Sequence, residues 1–277
     1  MLDRAAFEPW MSDWALEADG APILTPMGRL LPVRQGGEPA MLKIATEPEE
    51  RLGWTLLDWW DGEGAARVLA IRGDGLLMER ATGTKTPLAD MARYGDDAAA
   101  TAILCDAIAE LHRPRDKAPP QGLATLEDWF RDLWPAAAEG LVPPVMAETA
   151  RRLLDDQREA RPLHGDLHHE NVLDFGPRGW LAIDPKRLIG DRAFDYTTLF
   201  CDPDLSDLDP PTAVRPEIFS RRVEVVLARS GLERARLLDW IVAWCGLSTA
   251  WFLQDDDHEN AAVNLRVAEM ALAAREE

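Results

Sequence analysis

The sequence predicts an α+β fold in which a strand-rich N-terminal part is followed by a helical one. Three observations carry this. Short apolar runs separated by turn residues recur up to residue 80, at 30–33, 41–44, 66–71 and 75–80, as strands in hairpins do. Beyond residue 82 the apolar residues fall three and four apart, the spacing of helix faces. One more strand pair, 172–175 and 180–183 around the turn holding Gly176 and Gly179, stands alone inside the helical part. Strands first and helices afterwards describe a segregated α+β chain. Its 277 residues suffice for one large domain or two lobes sharing a cleft.

Taken in order, residues 3–19 carry Phe7, Trp10, Met11 and Trp14 at helical spacing, predicting an amphipathic helix that stops at Gly20. Strands 30–33 and 41–44 are joined by a turn at Gln35, Gly36, Gly37 and Glu38. A helix over 47–60 follows, with Glu47, Glu49 and Glu50 favouring the dipole of its first turn. Strands 66–71 and 75–80 complete the first part. Residues 96–112 place Leu104, Cys105, Ile108 and Leu111 on one helix face. A proline-rich loop spans 114–122, and helical stretches are expected near 125–139 and 145–160. Helices at 214–231, 234–253 and 259–275 close the chain, the middle one carrying Trp240, Trp244 and Trp251. There is no internal repeat.

Composition narrows the classes of function. The net charge of −19 argues against nucleic acid or an anionic membrane surface as partners. It suits a cationic small molecule, and it equally suits plain solubility. No run of eighteen apolar residues occurs, and the first residues lack a basic stretch before an apolar one, so neither a membrane span nor a secretion signal is expected. Three widely separated cysteines (Cys105, Cys201, Cys245) read as reduced and buried, which fits the cytoplasm. Only four of the thirty basic residues are lysines: Lys43, Lys85, Lys117 and Lys186.

The densest chemistry lies between His164 and Pro185. His164, Gly165 and Asp166 precede the isolated strand pair, Asn171 stands five residues after Asp166, and Asp184 follows the second strand. A tight hairpin brings the loop before its first strand close to the loop after its second, so Asp166, Asn171 and Asp184 can converge. Two carboxylates and an amide oxygen suit a hard cation. A transition-metal site from His164, Asp166, His168 and His169 is the rival reading. It leaves the spacing of Asn171 and Asp184 without a purpose.

The spacing Asp166, Asn171, Asp184 resembles the catalytic core of phosphotransferases with a protein-kinase-like fold. Gly165, and Asp184 followed by Pro185, look like the aminoglycoside phosphotransferase branch. The longer wording HGDLHHENVL with GWLAIDPKRLIGDRAFDY is similar to its streptomycin 6-kinase and hydroxyurea phosphotransferase group. The resemblance implies a two-lobe protein-kinase-like architecture, with an antiparallel-sheet N-lobe over 1–80 and a helical C-lobe over 82–277. It implies ATP and Mg2+ as cofactors, Asp166 as catalytic base, and Asn171 and Asp184 as metal ligands. Lys43 would steady the nucleotide phosphates, paired with Glu50, although the position one turn beyond is Gly53 and not an acid. Backbone groups near Glu79 and Ala81 would hold the adenine. Met78 would line its pocket or simply pack in the core. The glycine-poor 25–29 segment departs from a kinase phosphate loop.

By the same resemblance His164 and Asp195 would brace the catalytic loop, with no role for Asp191. Lys186 and Arg187 would touch the transferring phosphoryl group or pair with nearby acids. The acidic runs 202–209 and 255–259 would be solvated loops or a rim for the acceptor. The implied reaction is phosphorylation of a hydroxyl on a cationic, aminoglycoside-type acceptor like streptomycin. Hydroxyurea, an endogenous hydroxyl metabolite, or a catalytically weak nucleotide-binding module are the alternatives.

Overall fold

A computed structural model describes residues 4–25, 28–46 and 48–276. The chain enters through α1 (Glu8–Asp13), far shorter than the helix expected over 3–19. Ala15 takes φ +50°, a conformation that a right-handed helix cannot continue through. The chain instead straightens into β1 (Leu16–Ala18), because its backbone finds partners on a sheet edge. Next come β2 (Ile23–Thr25), β3 (Gly28–Gln35) and β4 (Glu38–Ala45). The β3–β4 turn runs through Gly36 and Gly37, both at positive φ, where glycine has no Cβ penalty. The helix α2 (Pro48–Trp60) precedes β5 (Val68–Arg72) and β6 (Gly75–Glu79). Together they form an antiparallel sheet of order β1-β3-β4-β6-β5, with β2 also on β3.

That sheet is lined by two separate cores. Phe7, Leu31, Val33, Leu42 and Leu77 form a small one. Trp54, Leu56, Leu57 and Trp60 of α2 belong to a larger one, continuous with the helical part. Each fully buried side chain of this size contributes about 1.5–3 kcal/mol of transfer free energy.

The helical part comprises α3 (Leu88–Tyr94), α4 (Asp97–Leu111), α5 (Leu126–Trp129), α6 (Leu133–Ala138), α7 (Pro144–Asp155), α8 (Pro216–Ser230), α9 (Arg234–Gln254) and α10 (His258–Ala273). Asp96 caps α4 by accepting the Ala99 N–H at 3.0 Å, and Gly231 ends α8 in the left-handed conformation. Helix α9 is apolar around most of its circumference and is buried accordingly. Its Trp240 and Trp244 meet Phe194 edge to face, with centroids 5.6 and 5.8 Å apart.

Five short strands frame the site within this part. The expected pair is present as β9 (Val172–Asp174) and β10 (Trp180–Ala182), antiparallel. The others are β7 (Ala124–Thr125), β8 (Ala160–Leu163) and β11 (Leu188–Asp191). Strand β11 pairs parallel with β7 and antiparallel with β8. These were absent from the sequence reading because segments of two to four residues show no periodicity. The chain between the first sheet and α3 is stitched to β9: the Gly83 N–H donates to the Asp174 carbonyl at 2.9 Å. A Cβ at Gly83 would lie 1.9 Å from Asp174 Cγ, so only glycine fits that crossing.

Candidate active site

Strand β8 ends at Leu163, immediately before His164, and β11 begins at Leu188, just after Arg187. Their pairing clamps the 164–171 loop and the 183–187 loop side by side. Between them lies Asp195, fully buried, whose carboxylate accepts the N–H groups of His164 at 2.9 Å and Gly165 at 2.7 Å. It also pairs with His112 Nε2 at 2.7 Å. His164 Nε2–H donates to the Ile183 carbonyl at 2.7 Å, while its Nδ1 accepts the Asp166 N–H at 3.3 Å. Burial holds His164 below the ordinary imidazole range, so the neutral ring serves as a brace between the two loops. Asp191, read from the sequence as having no role, is itself a buried anchor. It accepts the Ala193 N–H at 2.9 Å and the Arg158 N–H at 3.0 Å, and pairs with Arg236.

Asp166 sits at the open end of this frame. Burial alone would raise its pKa, but Lys186, His168 and His164 together bring it below the ordinary carboxylate value. Lys186 Nζ lies 3.2 Å from Asp166 Oδ2, so the acid pairing, one of the two sequence readings of Lys186, is present. The acid is the proposed base itself. Asn171 Nδ2 donates to the Asp166 carbonyl at 2.8 Å and approaches His168 Nε2 at 3.0 Å. His168 Nδ1 faces Asp202 Oδ1 at 3.4 Å. Although burial disfavours its charge, the carboxylates of Asp202, Asp166 and Glu170 raise the pKa of His168. Asp202 is held in place by Arg222, which donates to the Leu199 and Asp202 carbonyls at 2.6 Å and pairs with Asp97.

Across the cleft Lys43, buried on β4, reaches Asp184 Oδ1 at 2.6 Å. Asp184 adopts φ +58°, a left-handed conformation that Asp tolerates better than most side chains. The following Pro185 carbonyl presses on α2: a Cβ at Gly53 would come within 2.0 Å of it. Gly53 is thus a close-approach glycine, which explains why no acid stands there. Glu47 and the side chain of Glu50 lie outside the described residues. Met78 is buried within the large core. The Glu79 N–H is spent on the Arg67 carbonyl at 3.0 Å. The Glu79 side chain accepts the Arg67 N–H at 2.6 Å and pairs with Arg178, a structural duty. Ala81 is half-buried against the large core just beyond β6.

The donor set fits a hard cation. Asn171 commits its amide nitrogen to Asp166 and His168, so the oxygen is turned to the opposite side. That oxygen and the Asp184 carboxylate are hard oxygen donors of the kind magnesium takes beside phosphates and water. Among the described residues no group of three or more His, Cys, Asp and Glu could hold a metal ion, which removes the histidine-cluster reading. The acidic runs resolve unevenly. Asp202 and Asp204 are buried, and Asp204 accepts the Thr212 N–H at 2.9 Å. Asp257 caps α10 through the Asn260 N–H at 3.0 Å. Asp207, Asp209, Asp255 and Asp256 remain exposed. The contribution of Asp202 was missed in the sequence because nothing in an Asp-rich loop marks which carboxylate turns inward.

A sheet-borne lysine facing an aspartate beyond a β-hairpin, with a second aspartate in a braced loop upstream, defines a phosphotransferase of the protein-kinase-like class. Solved structures agree on the fold. The aminoglycoside phosphotransferase APH(4)-Ia superposes with TM-score 0.65 at 13% identity, covering 96% of this chain and 97% of that one. An ethanolamine kinase of Plasmodium vivax gives 0.63 at 12%, covering 96% and 84%. The model of the aminoglycoside/hydroxyurea antibiotic resistance kinases matches residues 13–256, and the chain belongs to that family. A streptomycin 3''-kinase of Klebsiella pneumoniae is 52% identical, covering 94% of this chain and 98% of that protein. A streptomycin 6-kinase of Streptomyces glaucescens is 31% identical, covering 98% and 89%. The protein is accordingly an enzyme, a kinase acting on an alcohol group. No described helix is long and apolar enough to cross a membrane.

Proposed function

We propose that the enzyme transfers the γ-phosphoryl group of ATP to the 3''-hydroxyl of streptomycin, in a cleft between an N-lobe over 1–80 and a C-lobe over 82–277. The observation that carries this is the 52% identity to a streptomycin 3''-kinase over 98% of that protein's length. The 6-kinases, at 29–31%, stand much further off, and a hydroxyurea phosphotransferase matches at 29%.

In this reading Asp166 accepts the proton of the acceptor hydroxyl as that oxygen attacks phosphorus. Lys43 holds the nucleotide phosphates against the Asp184 loop, while the Glu79 carbonyl and the Ala81 N–H hold the adenine, with Met78 behind it. Glu50 steadies Lys43. Asn171 and Asp184 would hold Mg2+, which neutralises phosphate charge when bound. The protein supplies mainly alignment and electrostatic stabilisation, since phosphoryl transfer asks little covalent chemistry of it.

The test is magnesium-dependent ADP release against streptomycin, other aminoglycosides and hydroxyurea, with the product's phosphorylated position read by NMR. Streptomycin-stimulated release with phosphate on the 3'' oxygen is expected. Phosphate on the 6 oxygen, or stimulation by hydroxyurea alone, would overturn the assignment.

A further inference from the structure

We infer that Lys186 is a catalytic residue, the cation that contacts the transferring phosphoryl group from the side of the base. The inference rests on reading this site as one of phosphoryl transfer. It goes beyond that reading by giving the metal loop a second working side chain.

Four features place Lys186 there. Its Nζ stands 3.2 Å from Asp166 Oδ2, the carboxylate that would receive the acceptor's proton. Its backbone is fixed, because its N–H donates to the His164 carbonyl at 2.7 Å and the preceding Pro185 is wedged against Gly53. Its stem passes directly over Gly165: a Cβ there would sit 3.2 Å from Lys186 Cβ and 2.6 Å from Leu188 Cδ1. A larger residue than glycine in the catalytic loop would displace the lysine. Finally, its side chain is 35% exposed, so the ammonium faces the cleft and is not sealed away.

The site's charges therefore come in two facing pairs, Lys43 with Asp184 and Lys186 with Asp166. The transferring group must pass between the nucleotide side and the base side, which brings it beside Lys186. A cation resting on the base alone would only weaken that base. The same cation on the phosphoryl oxygens neutralises charge where it develops.

In the step, the acceptor O–H bond breaks and its proton goes to Asp166 Oδ1, which the pairing of Oδ2 with Lys186 leaves available and which His168 Nε2 approaches only to 4.0 Å. An O–Pγ bond forms, the Pγ–O bond to the β-phosphate breaks, and ADP leaves with that electron pair. Lys186 stays protonated throughout.

The experiment compares wild type with Lys186→Met and Lys186→Arg. It measures kcat and KM for ATP, and the affinity for Mg·ADP with and without aluminium fluoride, a mimic of the planar phosphoryl group. Lys186→Met should lower kcat on the order of 100-fold or more, with KM for ATP changed less than about threefold. It should also abolish the gain in ADP affinity that aluminium fluoride gives the wild type, and Lys186→Arg should restore part of both. A kcat within about threefold of wild type, or equal loss of ADP affinity with and without fluoride, overturns the inference in favour of a structural brace. If Lys186→Met melts early, Lys186→Gln replaces it in the same comparison. Should streptomycin fail to stimulate the wild type, the acceptor assignment falls. The fluoride comparison, which needs no acceptor, still decides the role of Lys186.

Discussion

Asp166 meets two opposed demands with one carboxylate. As the proposed base it must stay ionised although half-buried, and it must still take a proton. Lys186, His168 and His164 satisfy the first by holding its pKa down. The second is served by leaving one oxygen free of the lysine. Asp166→Asn should cut kcat by about 10²–10⁴-fold and leave Mg·ATP affinity nearly unchanged, as steady-state kinetics beside calorimetry would register. Asp184→Ala removes the proposed metal carboxylate and the partner of Lys43 together, and should abolish magnesium-dependent nucleotide binding. A titration with unchanged Mg·ATP affinity would contradict that.

Asp202 makes a third case at this scale. Burial lifts its pKa from 3.8 to about 6, against the pull of His168 and Arg222. The folded protein therefore holds this proton more tightly than the unfolded chain. The resulting stabilisation, about 3 kcal/mol, is fully present below the unfolded value and is lost as pH rises to about 6. Urea melts of Asp202→Asn and wild type should diverge in the variant's favour between pH 4 and 7. A constant difference would count against the assignment.

Among the elements, α2 does most to shape the site. Its Trp54, Leu56, Leu57 and Trp60 are anchored in the large core, while its Gly53 face rests on the Pro185 carbonyl. The helix thus transmits the position of the core to the Asp184 loop. Gly53→Ala would gain about 1 kcal/mol of helix propensity in isolation. In this packing it forces a 2.0 Å contact with backbone, which cannot be relieved by a rotamer change. The expected result is a lower melting temperature and weaker nucleotide affinity together. Raised stability with intact affinity would refute the close approach. The strands β8 and β11 work similarly: too short to be stable alone, they register the two loops because Asp191 is pinned at the far end and Asp195 holds His164 and Gly165 at the near one.

For the whole molecule the dominant quantity is charge. With a net charge of −19, the field attracts a cationic acceptor and repels ATP. Raising ionic strength from about 0.01 to 0.15 M shortens the screening length from about 30 to 8 Å. The kcat/KM for streptomycin should then fall several-fold while that for ATP holds or rises. Equal responses of the two substrates would show that only local contacts matter. The exposed Asp207, Asp209, Asp255, Asp256 and Glu259 are the members of the acidic runs able to contribute, since Asp202, Asp204 and Asp257 are engaged in the fold.

By itself the sequence determined the α+β class and the long helices, and it pointed to Asp166, Asn171 and Asp184 as the proposed site. Helices longer than three turns have a period that can be read locally, and Asp166, Asn171 and Asp184 are linked by one short hairpin whose closure is a local event. The tertiary structure decided what depends on contacts distant in the chain. Lys43 and Asp184 are 141 residues apart and meet only when the sheet closes on the helical part. The N-terminal helix yielded to a strand because β3 offered its backbone partners. Gly53, an unexplained departure in the sequence, became a packing requirement once Pro185 lay against it. Asp202 and Lys186 acquired their partners in the same way, since burial and facing charge are properties of the assembled fold and leave no periodic trace in the chain.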